Sequence, residues 1–297
     1  MSERNELLKA IGWLVPSRIV YTACQWAMLT SVAILTDLNT VGAYGLALAT
    51  TTLIFRMLEF GINQSVNTDH KSDIIDTQYI YVRNFSLTVG ILISVAVAFL
   101  VFSTEIVSHT IVIMSLSKAI ESSTKVTYSF FRRAGKTLYM AQSLVIRGAL
   151  GSSAFALSLH VSNSLPLSLL TLALAWFLVA ILLDGPRFRD TLKLDDISIG
   201  NHSSLGVKSV KDVLFTMLRL MPLALSGAAG YSAEVLPRFF LNGYDDLKAV
   251  GILTALIYPY QAGSMIFKSI ESAVIGKMSH FFQSGQMKRG LKVFALL

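Results

Sequence analysis

"IFRMLEFGI" (residues 54–62) decides the fold. It sits inside a long apolar run, yet it carries Arg56 and Glu59 one helical turn apart. A charge at mid-bilayer costs about 2.5–3.5 kcal/mol on insertion scales. A chain that keeps two there must turn them toward each other or toward a wet cavity, which requires a bundle of helices rather than a single span.

The composition agrees. Of 297 residues, 53% are hydrophobic and only 14% charged, against about a quarter charged in soluble domains, and the mean hydropathy is +0.60. Apolar windows of roughly 20 residues, enough to cross about 30 Å of hydrocarbon, recur near 10–35, 41–61, 85–103, 106–131, 137–160, 164–183, 211–235 and 247–276. A ninth is expected to begin at Leu291. Helices are the expected spans, because lipid offers no partner for exposed backbone groups and no alternating barrel pattern is present. The fold class is therefore an all-α polytopic membrane protein. "MSERNELLKA" (1–10) leads straight into the first span without a small-residue cleavage site, so a retained first helix is expected in place of a signal peptide. Cys24 is the single cysteine, which excludes an intramolecular disulfide and a CxxC motif.

Orientation follows from the 25 Lys and Arg residues. With a cytoplasmic N-terminus, sixteen fall in inside segments, Arg83 among them, and two, Arg238 and Lys248, fall outside. The net charge of +7 then reflects insertion, and no nucleic-acid partner is called for. The turns "TDLNT" (36–40), "STE" (103–105) and "HVSNSLP" (160–166) are short enough to pair neighbouring helices as antiparallel hairpins.

The longest polar interruption follows the sixth span. It divides the chain into a six-helix lobe (1–183), a cytoplasmic linker (184–210) and the start of a second lobe (211–297) with two complete helices and the beginning of a ninth. Three matches in the same order suggest that the second lobe repeats the first. "LVP" (14–16) pairs with "LMP" (220–222), "LNTVG" (38–42) with "LKAVG" (247–251), and "IFRMLE" (54–59) with "IFKSIE" (266–271). An even number of spans separates the copies, so the repeat is parallel, about an axis along the membrane normal. Pro16 and Pro222 fall in matched helices as candidate kinks. Gly42, Gly45, Gly148 and Gly151 are candidates for close helix packing.

The spans hold seven cations, Arg18, Arg56, Lys118, Lys125, Arg147, Arg219 and Lys268, and four anions, Glu59, Glu121, Glu234 and Glu271. Lys118, Ser122, Lys125 and Ser129 follow one another at i, i+4, i+7 and i+11, a continuous polar stripe with Glu121 beside it. At about 1.5 Å per residue, Arg18 and Arg219 lie roughly 12 Å, and Arg147 roughly 15 Å, from the cytoplasmic ends of their helices. An excess of positive charge weighted to one leaflet suits anionic groups entering from the cytoplasm, and arginine's fixed fork suits phosphate oxygens. Against this stand simpler roles: Lys125, Lys268 and Arg18 snorkelling to headgroups, and Arg56 with Glu59, or Lys268 with Glu271, as structural pairs. Glu59 and Glu121 are candidates for carrying a coupling proton or sodium ion. No G-x-S-x-G, Walker A, H-E-x-x-H or G-x-G-x-x-G motif occurs, and the five histidines show no metal-site spacing. No enzymatic activity, resident metal or cofactor is expected.

"IGWLVPSRIV" (11–20), "VGAYGLALA" (41–49), "FRMLEFGINQSV" (55–66) and "FFRRAGKTLYMAQSLVIRGAL" (130–150) together resemble the polysaccharide (O-antigen) flippases. These are lipid-linked oligosaccharide exporters of the multidrug/oligosaccharidyl-lipid/polysaccharide superfamily. The resemblance runs diffusely over the whole chain and rests on no catalytic motif. It implies two six-helix lobes around a cationic cavity that alternates between membrane faces, with Arg18, Arg56, Lys118, Lys125 and Arg147 as candidates to line it. It also implies a polyprenyl-diphosphate-linked oligosaccharide as substrate, a bacterial inner membrane, and a polysaccharide polymerase and chain-length regulator as partners beside the membrane lipids. Relative to that pattern the second lobe is truncated. A multidrug exporter of the same superfamily fits the topology but would favour carboxylates for cationic drugs. A membrane glycosyltransferase or polysaccharide polymerase would more often need a large extramembrane loop.

Overall fold

The computed structural model describes residues 2–68, 76–198, 210–244, 246–257, 260 and 263. Among these the chain is helical, with no strand. The helices are α1 (Ser2–Leu35), α2 (Leu38–Met57), a short α3 (Ile62–Thr68), α4 (Asp76–Val101), α5 (Glu105–Arg133), α6 (Thr137–Ser162), α7 (Leu165–Val179), α8 (Gly185–Ser198) and α9 (Val210–Gly243). A further apolar helix, α10, covers Leu247–Ile257.

Five stretches are long and apolar enough to cross a membrane: Gly12–Leu35, Leu38–Met57, Gln78–Val101, Thr137–Ser162 and Leu165–Leu192. The surface is apolar and the interior carries charge. Leu100 is 85% and Leu182 71% exposed, whereas Arg147 is 1% exposed. In water that arrangement would be unfavourable, and in lipid it is the expected one. The long α5 falls outside the five because it carries Lys118, Glu121 and Lys125 along its middle. Among the described helices it has the most helix neighbours, packing against α2, α3, α4, α6, α7 and α8.

The turns before α2 and after α6 are as short as their sequences require. Asp37 caps α2, accepting a hydrogen bond from the Thr40 backbone N–H at 3.1 Å. Hydrogen bonds from Thr40 hold its carboxyl below the usual carboxylate range. Asn163 closes α6 in the left-handed region, with φ 51°. Within the helices, serine and threonine hydroxyls donate back to carbonyls four residues earlier, as Thr51 does to Ala47 and Ser94 to Gly90, which hides polar groups from lipid.

The apolar core joins α1, α2, α5, α6 and α7 through Leu14, Tyr21, Met28, Phe131, Phe155 and Trp176. Glycines set the closest approaches. A Cβ at Gly151 would run into the Trp176 indole nitrogen, and one at Gly148 would lie 3.3 Å from Cys24 and Tyr21. A Cβ at Gly42 would collide with the Leu247 carbonyl oxygen, and one at Gly251 would come 2.8 Å from the Leu38 carbonyl oxygen. A Cβ at Gly45 would meet the Thr254 hydroxyl. The N-terminal ends of α2 and α10 therefore touch backbone to backbone.

Three expectations need correction. The second span was expected to run to residue 61, but α2 ends at Met57. Gly61, at φ 61°, and Phe60, at φ 47°, turn the chain back into α3, a conformation that glycine adopts freely and phenylalanine only under strain. The third helix was expected from 85, but α4 starts at Asp76, so Arg83 belongs to a helix and is buried, not a loop cation. The linker was expected from 184, yet the chain stays helical to Ser198. Pro186 cannot donate a backbone hydrogen bond. The helix absorbs this with a π-turn at Ala180–Asp184, closed by the Gly185 N–H to the Ala180 carbonyl. The candidate kinks Pro16 and Pro222 lie within the continuous helices α1 and α9, and both residues are exposed; beside Pro16 the Ser17 hydroxyl donates to the Leu14 carbonyl at 3.0 Å.

Candidate functional site

The turn after α2 and the inner face of α5 together make a chain of charges. Past the helix end, Glu59 folds back, so that Arg56 Nη1 reaches its Oε2 at 3.2 Å and Lys125 Nζ reaches its Oε1 at 3.4 Å. Lys125 also pairs with Glu121 at 3.1 Å, and Glu121 with Lys118 at 2.8 Å. The order is Arg56, Glu59, Lys125, Glu121, Lys118. Each carboxylate touches two cations, so neither is left uncompensated in a site of low dielectric.

Arg83, from α4, closes the cluster from behind. Its Nε donates to the Ser122 carbonyl on α5 at 3.1 Å, and its Nη2 donates to that carbonyl and to the Ser122 hydroxyl. It also lies within electrostatic reach of Glu59. Four cations thus stand against two carboxylates, a surplus of two positive charges. Exposure is uneven along the chain: the side chains of Arg56 and Lys125 are 42% and 34% exposed, those of Glu59 and Glu121 only 10% and 13%. The carboxylates are recessed together with Lys118, at 12%, and the buried Arg83, whereas Arg56 and Lys125 face outward and present donors to an anion.

Arg147 does not join this chain. It is buried between Tyr128 and Trp176, its guanidinium 5.9 and 5.7 Å from their ring centres. Nη1 donates to the Thr124 hydroxyl on α5. Nη2 lies 3.8 Å from Oδ2 of Asp184, on the π-turn that follows α7. The Ser143 hydroxyl bonds to Asp184 Oδ2 at 2.9 Å and to the Tyr128 hydroxyl at 2.7 Å. The sequence shows no carboxylate within one turn of Arg147. The structure supplies one from another helix, and with it a closed pocket in place of the expected cavity-facing position.

The remaining candidates scatter. Arg18 is half-buried on α1, within electrostatic reach of Arg132 at the end of α5. Arg219 is exposed on α9. Lys268 and Glu271 lie outside the described residues. Sequence reasoning missed Arg83, Asp184 and the pocket residues Thr124, Tyr128, Ser143 and Trp176. A signal for Asp184 existed in the proline two residues later, which forces a helix irregularity at that point. Among the described residues, no group of three or more His, Cys, Asp or Glu side chains is placed to hold a metal ion.

No protein-family model and no curated protein matches this chain. A solved structure described as "protein A" is similar, with a TM-score of 0.58 and 11% identity over 94% of this chain. The chain spans 66% of that structure's length. At such identity the likeness is one of fold alone.

Proposed function

We propose that the chain is a flippase-like transporter that carries a polyprenyl-diphosphate-linked oligosaccharide from the cytoplasmic to the outer leaflet of a bacterial inner membrane, its N-terminus on the cytoplasmic side. The observation that carries this reading is the exposure of Arg56 and Lys125 over recessed carboxylates, in a cluster whose surplus of two positive charges is completed by the recessed Lys118 and Arg83. A diphosphate headgroup is the costly part of such a substrate to move through hydrocarbon. Arg56 and Lys125 neutralise it, Lys118 and Arg83 hold the field positive behind them, and the lipid tail stays in the bilayer. Glu59 and Glu121 hold the cations in place.

The second half of the proposal is a parallel repeat, with α1 and α2 matched to α9 and α10. Its support is reciprocal contact. Leu38 and Leu247 open the two matched segments, and Gly42 and Gly251 close them; Gly42 meets Leu247 while Gly251 meets Leu38. Two copies of one segment related by a two-fold axis make contacts of this kind. The two α2-like helices would then touch at their outer ends and leave the inner ends free to separate.

The test uses proteoliposomes holding a fluorescent polyprenyl-diphosphate oligosaccharide. Arg56→Gln with Lys125→Gln should abolish its movement between leaflets while the protein still inserts and melts as a folded species. Unchanged movement would remove the basis of the proposal. A multidrug exporter of the same superfamily predicts the opposite dependence: efflux of a cationic dye lost on removal of Glu59 or Glu121 and spared by the loss of the cations.

A further inference from the structure

The Arg147 pocket is less completely bonded than the charge chain, and the difference has a chemical consequence. Asp184 is 2% and Arg147 1% exposed. Oδ1 of Asp184 is buried without a hydrogen-bond partner, as are Nε and Nη2 of Arg147 and Nε1 of Trp176. The two ions face each other across 3.8 Å, too far for a hydrogen bond. One hydroxyl, that of Ser143, serves the carboxylate, and it is shared with Tyr128. The groups facing Asp184 are Tyr128 from α5, Ser143 and Arg147 from α6, and Arg187 from α8, which itself bonds to Gln142 at 2.8 Å. Among the described residues, no second carboxylate and no backbone donor completes its shell in the way the paired cations complete Glu59 and Glu121.

We infer that Asp184 and Arg147 form a proton-binding site: a proton from water adds to the free Oδ1, the carboxylate becomes a neutral acid, and the ion pair to Arg147 is broken. No other bond breaks, and the Arg147–Asp184 pair goes from neutral to singly positive. The ionic link between the π-turn and α6 is lost, leaving the Ser143 hydrogen bond, and the guanidinium is held by Thr124 and the two aromatic rings alone. The site joins α5, α6 and α7, so proton uptake alters how the end of α7 is seated against the helix that carries the charge chain. As a coupling site this rests on the transporter proposal above; as a proton site it does not.

The experiment reads the pocket directly. Trp13, Trp26 and Trp176 are the three tryptophans of the sequence, so Trp13→Phe with Trp26→Phe leaves Trp176 as the sole emitter beside Arg147. In the full chain in lipid nanodiscs, lowering the pH should change Trp176 emission through a single-proton transition. Asp184→Asn should abolish that transition and fix emission at its low-pH value, while Glu59→Gln and Glu121→Gln retain it. Ser143→Ala, which removes a hydrogen bond to the charged form, should move the midpoint to higher pH, and this arm holds even if Asp184→Asn fails to fold. A transition that survives Asp184→Asn, an unmoved midpoint in Ser143→Ala, or no transition in the parent would overturn the inference. In the leaflet assay, Asp184→Asn should remove stimulation by a proton gradient. A Trp176 transition in a protein that moves no lipid would keep the proton site and defeat the transporter proposal instead.

Discussion

Two charged regions sit side by side on α5 and use opposite strategies. In the Arg56–Lys118 chain every carboxylate touches two cations at 2.8–3.4 Å, and Arg56 and Lys125 remain partly exposed. In the Arg147 pocket one cation faces one carboxylate at 3.8 Å, fully enclosed, with donors and an acceptor left over. The first is saturated inside and open outside. The second is closed outside and unsaturated inside. Ionisable groups within membrane helices are by default candidates for binding or transport, and the contrast is the reason we propose different cargo for the two regions: an anionic headgroup for the chain, a proton for the pocket.

The comparison can be broken first at its strongest link. Glu121→Gln strands Lys118 in a partly buried site and leaves Lys125 with Glu59 alone, and loss of one partner from a buried ion pair costs about 3 kcal/mol. Thermal melts in a single detergent should show the largest drop for this variant, and combining it with Lys118→Met should recover much of the loss. A melt within error of the parent would mean that the chain is not a coupled unit. Arg147→Met should cost less, about 2 kcal/mol, because the wider ion pair has less to lose and Asp184 can be relieved by a proton. A penalty that shrinks as the pH is lowered is the expected signature.

Smaller effects sharpen the contrast by lying outside both regions or at the rim. Asp37→Ala removes the cap of α2 and should cost about 1 kcal/mol. Because hydrogen bonds from Thr40 lower the folded-state pKa of Asp37, its ionised cap stabilises the fold above the unfolded-state value. That contribution is lost as pH falls through the lower folded-state value. The difference between parent and Asp37→Ala should therefore narrow in acid. Arg56→Gln should change stability least, by about 0.5 kcal/mol, since its ion pair is substantially exposed and solvent-screened. A large destabilisation there would make Arg56 a structural residue and weaken its proposed part in binding.

What could be read from the sequence follows the range of each interaction. The polar stripe on α5 was legible because Lys118, Glu121 and Lys125 are neighbours at helical spacing, and their bridges are local. The Arg56–Glu59 pair was legible as a pair, but its geometry was not: apolar Leu58 and Phe60 disguise a turn, and only Gly61 marks the end of the helix. The bridge from Glu59 to Lys125 and that from Arg147 to Asp184 join different helices, so no periodicity announces them. Arg83 was misassigned because a lone arginine at the edge of an apolar run reads as a loop cation. Its burial depends on a carbonyl of α5 that the sequence cannot show. Short turns and close-packing glycines, by contrast, follow from local chemistry, and the structure has both.

The central claim, that Arg56 and Lys125 face water and an anionic headgroup, is open to one direct measurement. Cys24 is the only cysteine, so Cys24→Ser provides a background for Arg56→Cys, Lys125→Cys and, as a buried control, Leu144→Cys. A membrane-impermeant maleimide applied from the cytoplasmic side should label positions 56 and 125 and spare 144, and a polyprenyl-diphosphate lipid should protect the first two. Labelling at 56 and 125 no faster than at 144, or untouched by the lipid, would contradict the account.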